Sequence, residues 1–321
     1  MKQSIYVFFF LFILFFGCKE DSKEAQEINK IKVEVSISRF DRDIAVAKPS
    51  DIPLLKEKYP YLFPEQYADS IWINNLKDTL EISLLKEVDV AFGDFKKHKE
   101  KIEMFYKHVL YYFPKERVPK VVTVLSNVDY NNPMILTNEF LLLGLDNYLG
   151  PEHKFYQGFQ RYIAAGLDQK YLLSDIASVF SKKVVTYPTN DRTFLAQLVY
   201  YGKVLYLKDK LIPFESDAIK IKYSQEEMDW AAANEEQIWR NFIENEYLYN
   251  TDKKLAMRFI DPAPFSKFQL ELDSESPGRL GRYLGWQIVR SFMKNNTVTL
   301  QQMLDLPATE IFKKSNYKPK R

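Results

Sequence analysis

Cysteine is all but missing. Cys18 is the single one in 321 residues, so no intramolecular disulfide can form and the fold must hold by packing alone. Histidine is nearly as scarce, with only His98, His108 and His153. On one helix His98 and His108 would stand about 280° apart around the axis and could not share a metal. His153 follows Gly150-Pro151 near a helix start, a place for a cap or a surface side chain. No HExxH, no cysteine pair, no glycine-rich phosphate loop and no GxSxG elbow occurs. No catalytic residue, metal ligand set or cofactor is therefore expected. Glycine is thin at ten, and alternating apolar patterning is sparse, which points to helix. Lysine and arginine total 45 against 43 aspartate and glutamate, a net charge of +2, so nothing electrostatic favours nucleic acid.

What is present begins at the amino end. Lys2 precedes Ile5 to Phe16, twelve uncharged residues, then Gly17-Cys18 and the charged run Lys19-Glu20-Asp21-Ser22-Lys23-Glu24. A charged start, a short apolar stretch and a small residue before the cut form the secretory signal pattern. As a helix this stretch rises about 18 Å, short of a bilayer core of roughly 30 Å, so no transmembrane anchor is expected. Leu14-Phe15-Phe16-Gly17-Cys18 resembles a bacterial lipobox, with Phe15 and Phe16 where the usual box carries leucine and a small residue. That likeness implies cleavage before Cys18 and lipidation of its thiol; the alternative is an ordinary cleaved signal. The expected organisation is a signal peptide 1–17, a lipidated N-terminus and polar tether 18–31, and a single mostly helical globular domain 32–321. Buried acyl methylenes contribute about 0.8 kcal/mol each, and two or more chains hold stably. The expectation is a membrane-anchored cell-envelope protein facing periplasm or cell surface.

Along the chain, Lys32 to Ile37 alternates apolar and polar residues and reads as a first strand. Residues 51–113 are largely helical by spacing, and Phe95–Phe113 is the cleanest helix, with Ile102, Phe105, Tyr106, Val109 and Tyr112 on one stripe. Val121–Leu125, Met134–Leu136 and Phe140–Leu143 read as strands, so a small sheet over 118–146 sits inside an otherwise helical protein. Ser174–Val185, Thr193–Leu207, Glu226–Tyr247 and Pro277–Lys294 are the main later helices. The fold class expected is α+β, predominantly α-helical, with one small β-sheet.

The Pro277–Lys294 segment holds the most chemistry. Ser276 can cap it and Pro277 suits its first turn. Gly278, Gly281 and Gly285 fall within about 60° of one another, a flat strip for close helix packing. Roughly opposite lie Arg279, Arg282, Tyr283, Trp286 and Arg290, a candidate face for an anionic glycan, lipid or protein partner; the alternative is a salt-bridged solvated face with Trp286 half buried. The preceding helix aligns Glu235, Trp239, Phe242 and Glu246. The two carboxylates could form an acid/base pair or be neutralised by Arg240, Arg279 or Arg282.

Several stretches together resemble the gliding motility lipoprotein GldB family of Bacteroidetes. They are Gly17-Cys18, Ser38-Arg39-Phe40-Asp41-Arg42-Asp43, Phe194 to Lys203, and above all Phe259-Ile260-Asp261-Pro262-Ala263-Pro264-Phe265 running through Glu275–Gly281 to Gly285–Arg290. The resemblance covers essentially the full chain. It implies an envelope lipoprotein required for surface gliding, with partners in the gliding machinery and no assigned catalytic residues. A more distant likeness is to zincin metallopeptidase domains, with the sheet at 118–146, a first helix at Leu173–Val185 and a second at Thr193–Leu207. Leu173 to Phe180 contains no histidine, so such a scaffold would be degenerate, its zinc site gone. Three readings follow: a non-enzymatic component acting through protein contacts, an envelope-polymer hydrolase using carboxylates, and a glycan- or lipid-binding module.

Overall fold

The computed structural model describes residues 23–270 and 273–319. Cys18 and the signal segment lie outside the described residues. Helices of eight residues or more are α1 (Lys23–Lys30), α2 (Thr79–Phe92), α3 (Lys96–Tyr112), α4 (Leu172–Val184), α5 (Phe194–Leu211), α6 (Gln225–Ala233), α7 (Glu235–Glu244), α8 (Leu280–Asn295) and α9 (Ala308–Ser315). Strands β1 (Ile37–Arg39), β2 (Lys120–Val124), β3 (Met134–Leu136) and β4 (Phe140–Gly144) form one sheet in the order β1-β2-β4-β3. The class is α+β and predominantly helical, as expected. None of the described helices is long and apolar enough to cross a membrane.

The sheet divides the apolar interior. β1, β2 and β4 run parallel, with Val121 opposite Ile37 and Leu141, and β3 closes the edge antiparallel to β4. Val121, Leu141 and Leu143 point into the main core with α3, α4, α5 and α8. Val122 points the other way, onto Ile52, Leu55, Tyr59 and Phe63. Cover on both faces explains why β2 and β4 read as continuous apolar runs rather than alternating ones.

The first strand is displaced from its expected place. Val33 and Val35 of Lys32–Ile37 do pack on the core, but the Val35 amide donates to Glu103 Oε1 (3.1 Å) and the ladder starts only at Ile37. The charge-alternating stretch that follows is a set of internal ties. Arg39 grips Asp41 through Nε (3.0 Å) and Nη2 (2.7 Å) and donates Nη1 to Gly93 O (2.8 Å), where α2 ends. Thr123 Oγ1 donates to the same buried Asp41. Arg42 meets Asp89 (2.7 Å), and Asp43 accepts from Lys58 (2.6 Å) and Tyr59. Asp41→Asn keeps the volume but turns one acceptor oxygen into a donor facing Arg39 or Thr123. It is expected to cost about 1–3 kcal/mol in urea denaturation; an unchanged midpoint would show that this tie is idle.

Three further expectations are corrected. Lys23–Lys30, assigned to the tether, is helix α1; it buries Ile28 and rests on α3, with Glu24 accepting from Tyr112 OH and facing Lys210 at 3.5 Å. Glu226–Tyr247 is two helices, α6 and α7. Asn234 breaks the run at φ −105°, ψ 10°, and its side-chain amide donates back to Trp230 O (2.9 Å). The Pro277–Lys294 helix begins at Leu280, and Ser276 does not cap it. Ser266, fourteen residues upstream, accepts from the Leu280 amide (3.2 Å), while Ser276 Oγ donates to Ser266 O (3.1 Å) and Asp273 O (2.8 Å). Gly278 belongs to this clasp, because a Cβ there would overlap Ala263 O. Gly281 and Gly285 do form the expected close-packing strip, against Phe259 O, the Ile260 side chain and Leu198 of α5.

Candidate functional site

Helix α8 lies between α5 and α9, and very little of it meets solvent. Its cationic and aromatic residues are therefore not one surface face. Trp286 (0% exposed) and Tyr283 (1%) are core residues, which removes both the partner-face reading and the half-buried reading for them. Trp286 Nε1 donates to Asp209 Oδ2 (2.9 Å), and the Arg290 guanidinium stacks on the indole at 3.7 Å. Arg290 also chelates Asp209 and Asp217 through four contacts of 2.7–2.9 Å, and Lys220 reaches both carboxylates at 3.0 and 3.3 Å. Burial works against the Asp217 carboxylate, yet Arg290 and Lys220 hold its pKa below the usual range; the same carboxylates raise that of Arg290. Two cations meet two anions here, so this cluster is self-neutralised and structural.

The carboxylate pair is also dismantled. Glu235 is buried and accepts from Tyr283 OH (2.8 Å) and Tyr317 OH (2.9 Å) rather than from Arg240, Arg279 or Arg282. Burial and this carboxylate push both phenols well above their ordinary pKa. Glu246 lies beyond the end of α7, exposed and at φ 55°. Glu235 and Glu246 share no helix face, so they build no acid/base pair. His153 caps a short turn, accepting from the Phe155 amide (3.4 Å), and faces Glu87 at 3.3 Å.

Arg279 and Arg282 remain, and the structure adds two lysines to them. Arg279 sits at φ 62° just before α8 and donates Nη2 to Lys222 O (2.9 Å). Arg282 donates Nε to Ile260 O (2.7 Å) and lays its guanidinium on the Tyr201 ring at 4.2 Å. Lys222, also left-handed at φ 60°, gives Nζ to Asp175 (2.8 Å) on α4, which accepts from Tyr148 OH (3.0 Å) as well. Lys182 stands two turns further along α4. It is exposed yet crowded; burial first, then Arg282, lowers its pKa. Burial and the neighbouring Arg279 push Arg282 down to about 10. Tyr187, Tyr200 and Tyr201 line up edge to face beside it (4.9 and 5.0 Å). Sequence reading missed Lys182 and Lys222, which lie about 60 to 100 residues from the arginines and share no periodicity with them.

Beside these cations Lys208 is buried, donating Nζ to Ser174 Oγ (2.9 Å) and Lys220 O (2.6 Å). Burial is the largest influence on it and pushes its pKa down to about 7. Lys203, whose Nζ serves Leu304 O and Leu306 O, goes down to about 8 for the same reason. Between about pH 7 and 10 the unfolded chain therefore binds more protons than the folded one, so stability rises with pH. Above that range the buried tyrosines, raised in pKa by burial, reverse the sign. Lys208→Met is expected to remove about 2 kcal/mol of the gain between pH 7.5 and 9. Urea denaturation at both values checks it: an undiminished gain in the variant would show that Lys208 is charged when folded.

Among the described residues no group of three histidine, cysteine, aspartate or glutamate side chains is placed to hold a metal ion. The described residues define a mostly helical protein with one mixed sheet, a self-neutralised charge cluster and a separate group of cations. Residues 21–319 match the family described as gliding motility protein GldB, and the chain belongs to that family. No curated protein and no solved structure matches it.

Proposed function

We propose that this protein is a lipid-anchored envelope component of the gliding apparatus that works by holding other proteins rather than by catalysis. The observation that carries the reading is the family match across 21–319, which makes gliding the process it serves. Cys18 supplies the anchor through its acylated thiol. Helix α1 is docked on the body through Ile28 and its contacts with α3. The reading without catalysis rests on Glu235 being spent on two tyrosines and Glu246 lying apart from it.

Chemical crosslinking in intact gliding cells, followed by capture of the full-length chain, tests this reading. The expected result is a set of discrete adducts with other envelope proteins that disappear when the helical body is deleted. A chain that forms no adducts in cells gliding at normal speed would overturn it.

A further inference from the structure

We propose that the basic cluster of Lys182, Lys222, Arg279 and Arg282 binds a carboxylate-bearing peptide segment, an acidic stretch of a partner protein. The proposal rests on the reading that this chain acts through protein contacts, and names the chemistry of one such contact.

Charge is the first argument. The four cations face two carboxylates, and only one of those is in contact. Asp175 is engaged by Lys222 and by Tyr148, while Asp261 acts on Arg282 through space without forming an ion pair. Lys182, Arg279 and Arg282 form no ion pair among the described residues, in contrast to Arg290, which shares two carboxylates with Lys220. Burial first, and a neighbouring positive charge second, lowers the pKa of both Arg282 and Lys182. A bound anion relieves that repulsion.

Geometry is the second argument. Arg282 is held on one edge by Ile260 O and on one face by Tyr201. Its two Nη groups have no partner among the described residues, and they are not among the buried, unpartnered atoms, so solvent reaches them. A planar fork fixed at its Nε end and open at its Nη end is the arrangement that takes a carboxylate. Beside it Tyr187, half exposed, and the partly exposed Tyr201, both braced edge to face on the buried Tyr200, give a peptide flat surfaces to pack on. A membrane surface would instead need its cations projecting outward, whereas Arg279 and Arg282 are recessed against Tyr223 and Tyr201.

The test is fluorescence anisotropy on the detergent-solubilised full chain, with a labelled octapeptide of alternating glutamate and tyrosine as the probe. The glutamate peptide is expected to bind saturably, and its glutamine-for-glutamate counterpart at least about tenfold more weakly. Arg282→Gln and Lys182→Glu should each weaken the glutamate peptide by about tenfold. Lys182 is exposed and unpaired, so the second variant keeps the test decisive if the first does not fold. Equal binding of the two peptides overturns the proposal, as does binding that neither substitution weakens. Two other outcomes also overturn it: capture by phosphatidylglycerol vesicles through these residues without peptide binding, or retention of inorganic phosphate alone. Crosslinked partners that bind independently of these four cations would sink the proposal and leave the wider reading standing.

Discussion

Alanine at Gly285 is expected to keep the chain from reaching its native fold. A methyl there would overlap the carbonyl oxygen of Leu198 and come within 3.1 Å of its Cα, where carbon atoms need about 3.5 Å. The obstruction is backbone, not the end of a flexible side chain, so no rotamer change relieves it. Gly202 meets the same crossing from the other side, as its own Cβ would overlap Gly285 O. Helices α5 and α8 would have to part, and Leu195, Leu198, Leu284 and Ile288, all fully buried, would lose their mutual packing. The loss should be about 4 kcal/mol or more, in the range that marks a specific structural failure. Soluble expression and a circular dichroism melt check it. A variant melting within a few degrees of the parent would show that the two helices can slide apart cheaply.

Trp286→Ala is the second large effect. The indole is wholly buried and fixed by Asp209 and Arg290. Truncation leaves a cavity between α5 and α8 and removes the surface on which Arg290 is stacked, at a cost of about 3–5 kcal/mol. Trp286→Phe should recover most of the packing and lose only the bond to Asp209. Chemical denaturation separates this account from the partner-face expectation. If alanine left stability intact and only reduced partner binding, Trp286 would belong to a surface after all.

What was legible in the sequence followed from local rules. The stripe on α3 buries Ile102, Phe105, Tyr106 and Val109 as its spacing predicts, and the three apolar runs between 118 and 146 became β2, β3 and β4. Local reading failed where distant segments decide. Strand β1 begins only where β2 offers it a ladder. The cap of α8 comes from Ser266, a contact that no capping box announces. The apparent cationic face of α8 misled because a helix packed on most sides carries its charges inward, each to a separate partner. Arg290 went to Asp209 and Asp217, Tyr283 to Glu235, and Arg279 and Arg282 to the carbonyls of Lys222 and Ile260. Half the candidate site was therefore named from the sequence, and the lysines that complete it were not.

The central claim is that this family member serves gliding from a membrane anchor at Cys18. Cells whose only copy carries Cys18→Ala, given a fatty-acid label and then fractionated and filmed, test it most directly. The account predicts that the variant chain takes up no label, leaves the membrane fraction and fails to support gliding. Gliding at normal speed with the unlabelled chain in the soluble fraction would contradict it.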